Sequence, residues 1–196
     1  GPINAQQSGY LEDISNSGTY LLEIINDVID LSSAELGHLN LVKAETEIGR
    51  CVDACVRPAA SRIRDKDLKL RLADFAEVPK FHADERRVKQ VILNLLTNAA
   101  KYTETGGRIE IDASANDAGF IELRFEDTGV GMTEDELESV LTPFIQGRDP
   151  MVRLNEGSGL GLPLVRSIVD AHGGTLTIES KVGVGTTATV TFPIAG

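Results

Sequence analysis

Asn94-Leu95-Leu96-Thr97-Asn98-Ala99-Ala100-Lys101-Tyr102 is the stretch on which the reading of this chain turns. Asn94, Asn98 and Lys101 fall at i, i+4 and i+7, so a helix puts all three on one face, where they can converge on one ligand. Amide oxygens suit a hard cation such as Mg2+, and a lysine beside them suits phosphate. Val88, Val91, Ile92, Leu95 and Leu96 keep helical spacing for an inward face, and Asp84 stands where a cap belongs, so the predicted helix runs from there to Tyr102. Asn is a mediocre helix former, and two on one face are unusual; taken alone, they also read as a polar face in water.

Two glycine-rich stretches follow. Asp127-Thr128-Gly129-Val130-Gly131-Met132 comes straight after a strand pattern. Its glycines let the backbone turn sharply and approach a ligand, and an aspartate at a strand end can accept a hydrogen bond from an amine. Gly157-Ser158-Gly159-Leu160-Gly161-Leu162 opens a helix, where free backbone N–H groups make a phosphate cradle. Its glycine spacing is not that of a dinucleotide fingerprint, and no Lys-Ser/Thr follows to make a Walker loop. Each stretch alone is compatible with an ordinary loop; the ordered set is far more specific.

Working outward, residues 8–36 read as one long helix whose apolar positions Leu11, Ile14, Leu21, Ile25 and Val28, widened by Leu22, Ile29 and Leu36, form a bundle or coiled-coil face that needs a partner. Gly37 is its expected stop. Extended pieces are predicted at 39–43, 68–72 and 81–83, paired strands at 108–113 and 121–126, and closing strands at 175–180 and 186–192. Further helices are predicted at 45–64, 134–141 and 160–172, with 143–158 irregular. Helices and antiparallel strands in mixed order imply a two-layer α/β sandwich on a largely antiparallel sheet.

The formal net charge of −11 argues against a nucleic-acid binder, and the basic residues at 57–71 and 86–89 lie in helical patterns beside acids. No apolar run reaches the length of a membrane span and nothing resembles a signal peptide, so this stretch is expected to be cytoplasmic without membrane contact of its own, in a full-length protein for which a membrane anchor stays open. Cys51 and Cys55 lack further ligands at metal spacing and read as reduced thiols of a helix.

In order, the asparagine helix, Asp127–Met132, Pro143-Phe144 and Gly157–Leu162 resemble the GHKL ATPase superfamily and, within it, the sensor histidine kinases. They are similar to that family's asparagine, first glycine, phenylalanine and second glycine boxes. His172-Gly173-Gly174 and Gly183-Val184-Gly185-Thr186-Thr187 resemble its closing segments, and Gly161-Leu162-Pro163-Leu164-Val165 is similar to the PleC and DivJ group. Residues 1–37 resemble the second helix of the dimerisation and histidine-phosphotransfer hairpin, and 38–196 the catalytic ATP-binding domain.

The resemblance implies the Bergerat (GHKL) α/β sandwich with ATP and Mg2+ as cofactors. Asp127 would accept from the adenine amine, with Gly129 and Gly131 beside it, and Tyr102 would pack on the base. Asn98 would ligate Mg2+, while Asn94 and Lys101 would bind the phosphate end as the catalytic pair. Gly157, Ser158, Gly159, Leu160, Gly161 and Leu162 would cradle phosphates, Thr187 would join the site, and 145–156 would form a lid. Asn94 stands where water-hydrolysing relatives carry a glutamate, and an amide cannot act as a general base on water, so transfer to histidine is favoured. Many members have an arginine where this chain has Gln146; Arg148 and Arg153 are candidate substitutes. None of His38, His82 and His172 has the acceptor's context, so the accepting histidine is expected on a first hairpin helix outside this sequence. His38 and His82 read as surface or turn residues, and His172 as a helix-end residue. Implied partners are ATP, a response-regulator receiver domain and a second copy through the hairpin. The alternatives are a nucleotide-sensing pseudokinase and a GHKL anti-sigma serine kinase; the leading helix argues against the second.

Overall fold

Alternation sets the sheet. β4 (Arg108–Ala115) and β5 (Phe120–Asp127) bury Ile109, Ile111, Ala113, Ile121, Leu123 and Phe125, while Asp112 and Arg124 on the opposite pleat face water. Between them Asn116 Oδ1 accepts from the N–H groups of Ala118 and Phe120, and Gly119 takes a positive φ, which closes the hairpin. The computed structural model describes residues 4–35, 39–145 and 158–195. Five strands lie in the order β2-β4-β5-β7-β6, with β2 (Lys69–Leu72), β6 (Leu176–Lys181) and β7 (Gly185–Pro193) completing the sheet. Only β2 against β4 is parallel, so the sheet is mixed and largely antiparallel.

Helices α2 (Ile48–Asp65) and α3 (Glu85–Tyr102), and the helix Gly161–His172, bury their apolar faces against one side of that sheet in a single core. A two-layer α/β sandwich results. A separate antiparallel pair, β1 (Ala44–Thr46) with β3 (Phe81–Ala83), closes one end, and Phe81 packs against Phe192 at 5.7 Å between ring centroids. The short α4 (Glu134–Ser139) starts in a capping box of Thr133 and Glu136, and Gly161–His172 is α5. The first helix, α1 (Ala5–Glu35), buries Leu31 but leaves Leu11, Ile14, Leu21, Leu22, Ile25, Val28 and Ile29 exposed.

Element boundaries shift from the sequence expectation at several places, most at the first extended piece. The extended piece sits at 44–46 rather than 39–43, because the Asp84 carboxylate takes the Val42 N–H at 3.0 Å and docks that stretch by a side chain instead of a ladder. Helix α2 starts correspondingly later, at Ile48, and tolerates Pro58 in its interior. The helix stop at Gly37 and the lid residues 146–156 lie outside the described residues. Cys51 and Cys55 are free and buried, and burial pushes the Cys51 thiol up to about 12.

Candidate functional site

Asp84 fixes where α3 begins: its Oδ1 accepts the Arg87 N–H at 3.2 Å, filling an orphan donor of the first turn. From that start the helical period brings Asn94, Asn98 and Lys101, each half-buried, onto one wall of a cleft of about 320 Å3. Tyr102 lines the same wall, with the Lys101 ammonium 4.8 Å from its ring centroid. The cleft runs between α3, the loop after β5 and the start of α5.

Asp127 ends β5 inside this cleft. Its Oδ1 accepts from the N–H groups of Gly129 at 2.8 Å and Thr186 at 3.3 Å, so among the described residues both of its hydrogen bonds use one oxygen. Burial pushes the carboxyl above its usual range against the pull of these two donors. Gly129 is buried against the Tyr102 carbonyl, which a Cβ would approach to 2.6 Å, so it joins the loop to the end of α3. Gly131 lines the cleft with φ +69°, and a Cβ there would stand 2.1 Å from the Lys181 carbonyl.

Across the cleft, Ser158, Gly159, Gly161 and Leu162 contribute to the wall, whereas Leu160 is fully buried as the residue preceding α5. A Cβ on Gly161 would lie 3.4 Å from Asn94 Oδ1 and 3.9 Å from Asn98 Nδ2, so the glycine keeps the space over the asparagines open. Gly157 lies outside the described residues. Thr187 does not line the cleft: Thr186 and Ala188 do, and alternation turns Thr187 to the other face of β7.

A family model, histidine kinase-, DNA gyrase B- and HSP90-like ATPase, matches residues 83–196. The chain belongs to this ATPase family. Similarity within it runs to histidine kinases. The chain is 37 % identical over 206 residues to the cell-division control histidine kinase PdhS of Brucella canis, covering 98 % of itself and 20 % of that protein. It is also 37 % identical over 198 residues to the non-motile and phage-resistance protein of Caulobacter vibrioides, covering 99 % of itself and 23 % of that protein. Among solved structures, full-length ShkA in complex with AMPPNP superposes with a TM-score of 0.85 at 28 % identity, over 100 % of this chain and 40 % of that one. The chain thus spans a quarter or less of the length of these two curated relatives.

The site has features that the sequence did not announce. Thr186 is one: its place follows from the β5–β7 register, which pairs it with Asp127, and two successive threonines do not reveal which faces the cleft. Ile24 and Asp27 of α1 also line the cleft, held there because Asp30, one turn on, meets Arg87 and Gln90 of α3. His172 is a third. It is buried, its Nε2 accepts the Asp84 N–H at 3.1 Å, its Nδ1 meets the Ile168 carbonyl at 2.8 Å, and burial lowers its pKa. At the helix end, as expected, it is therefore a neutral strut between α5 and the cap of α3. His82 is exposed on β3 as expected, and His38 lies outside the described residues.

A nucleotide with its metal fits the donor set. A half-buried carboxylate sits at one end, two amides and an ammonium line the helix wall, and a glycine holds open the space where an approach must be close. Among the described residues no group of three His, Cys, Asp or Glu could hold a metal by itself, so a cation here would share its coordination with phosphate oxygens, as Mg2+ usually does.

Proposed function

We propose that this chain binds ATP with Mg2+ and serves as the catalytic part of a two-component sensor histidine kinase. The phosphoryl group would pass to a histidine on a helix paired with α1, and then to a response-regulator aspartate. Residues 1–37 would be the second hairpin helix and 38–196 the catalytic domain. The observation that carries the reading is Asp127, a carboxylate drawn into the cleft with one oxygen engaged by backbone donors. That leaves Oδ2 to receive an adenine amine.

The work divides by place. Asp127 and Tyr102 orient the base; Asn94 and Lys101 hold the phosphate end; Asn98 offers an amide oxygen to the metal. Bound Mg2+ would neutralise charge on the phosphate oxygens. Phosphoryl transfer asks the protein mainly for positioning and charge neutralisation, and these groups provide both. No side chain at Asn94 can take a proton from water, which favours an imidazole as acceptor. The exposed apolar stripe of α1 supports pairing with the first hairpin helix and a second copy. No helix among the described residues is long and apolar enough to cross a membrane.

Calorimetric titration with a non-hydrolysable ATP analogue, with and without Mg2+ and beside Asp127→Asn, tests the reading. Binding that needs the metal and vanishes in the variant supports it; a folded wild type that binds no analogue sinks it. Supplying a separate hairpin that carries the histidine then distinguishes a kinase from a nucleotide-sensing pseudokinase.

A further inference from the structure

An α-helix leaves its last carbonyls without partners inside the helix. At the end of α3 they are taken one after another. Lys66, just past α2, donates from Nζ to the carbonyls of Ala100 at 3.0 Å, Lys101 at 2.6 Å and Thr103 at 2.9 Å. The Tyr102 carbonyl between them accepts the Val130 N–H at 3.2 Å, from the loop that follows Asp127. The Ala99 carbonyl accepts both the N–H and the hydroxyl of Thr103. An ammonium has three donors, and this one uses all three at the negative pole of the helix dipole. Lys66 is itself held, because its carbonyl accepts the Gly106 N–H at 2.9 Å.

We propose that Lys66 is a positioning residue for the nucleotide site: it fixes the last turn of α3 and thereby the placement of Lys101 and Tyr102 against Asp127. This rests on the nucleotide reading of the cleft. Lys101 and Tyr102 occupy the terminal turn, where helices fray unless their ends are tied. A ring that packs on a base cannot do so from a fraying turn, since binding geometry depends on supporting contacts that lock it. Burial lowers the Lys66 pKa, as befits an ammonium drawn from water to meet carbonyls rather than left on a solvated stem. Nothing in the motif order points to Lys66, which precedes the asparagine helix by a strand, a loop and a second strand.

The test is a double-mutant cycle on wild type, Lys66→Met, Tyr102→Ala and the pair, titrated with the Mg2+-bound ATP analogue. Amide exchange is followed in parallel at Thr103 and Val130. Lys66→Met is expected to keep protection in the central strands and lose it at Thr103 and Val130. It should weaken the analogue about tenfold, the scale of one hydrogen bond from a charged donor. The double variant should lose less than the sum of the single losses, because one residue acts through the other. A merely stabilising lysine would lower the melting temperature and leave the cycle additive; additive losses, or wild-type affinity in Lys66→Met, overturn the proposal. Should Lys66→Met not fold, Lys66→Gln, which keeps an amide donor, replaces it in the cycle. A folded wild type that binds no analogue is a different failure, that of the nucleotide reading.

Discussion

The Arg87 guanidinium grips the Asp30 carboxylate with two nitrogens, Nη2 meeting Oδ1 at 2.9 Å, and so ties α1 to the first turn of α3. The Arg87 side chain is 8 % exposed and the Asp30 side chain 22 %, so water screens the pair weakly. Hydrogen bonding from Arg87 holds the Asp30 carboxyl below its usual range. Arg87 Nε has no hydrogen-bond partner among the described residues, so the pair's other bonds must offset its burial.

Removing only the carboxylate should therefore cost more than removing both charges. Asp30→Ala leaves a buried guanidinium uncompensated and is expected to lose about 1–3 kcal/mol, while Asp30→Leu with Arg87→Met should lose less. Hydrogen exchange localises the effect: amides near the end of α1 should lose protection while those of β4 and β5 keep theirs. Equal losses in the single and double variants would count against the account.

The buried His172 predicts a pH dependence. Its folded pKa lies below the ordinary value of 6.5, so below that pH the unfolded chain binds more protons. Its contribution to stability is full above pH 6.5 and declines as pH falls toward the folded value. The Lys43 and Asp84 charges nearby act in opposite senses. Denaturant midpoints measured from pH 8 to pH 5 should fall, and fall less in His172→Gln. At pH 8 that variant should cost about 1–3 kcal/mol, because the Asp84 N–H and the Ile168 carbonyl lose a partner.

Two glycines of the site separate folding from binding. Gly131→Ala forces a side chain into φ +69° and against the Lys181 carbonyl, so it should destabilise the fold by at least about 1–3 kcal/mol. Gly161→Ala meets only ordinary contacts and sits in a helix, so stability should hold or rise slightly. Its methyl group nevertheless enters the space over Asn94 and should weaken a triphosphate analogue about tenfold or more. Thermal melts beside titrations check both.

The thiols should be inert in the native chain. Cys51 and Cys55 are 0 % and 4 % exposed, and burial raises both pKa values, so thiolate is scarce at neutral pH. A chromogenic disulfide reagent is expected to react with them only once denaturant unfolds the chain.

Local rules were enough for much of this architecture. Alternation in Ile109–Ala113 and Ile121–Phe125 and the apolar spacing of Val88–Leu96 depend on neighbours in sequence, and the observed strands and helix follow them. What local rules could not supply is register and long-range docking. Thr186 rather than Thr187 faces Asp127 because β5 and β7 pair 59 residues apart. The shift of the first extended piece comes from an Asp84 carboxylate 42 residues away. Lys66 and His172 show no functional pattern of their own; each acts on backbone groups of a distant segment, and only folding brings those groups within reach.

The clamp on α1 also has a mechanical meaning. It grips a 31-residue helix near one end, at Asp30 and the buried Leu31, while the apolar stripe toward the other end is exposed. At 1.5 Å per residue, Ala5 lies about 38 Å from Asp30, so a pivot of about 5° at the clamp sweeps the far end through about 3 Å. For a rigid helix turning about that pair, the fulcrum lies beside the cleft. A small rotation at its long arm arrives at Asp27 and Ile24, three and six residues from the fulcrum, geared down to a fraction of an ångström.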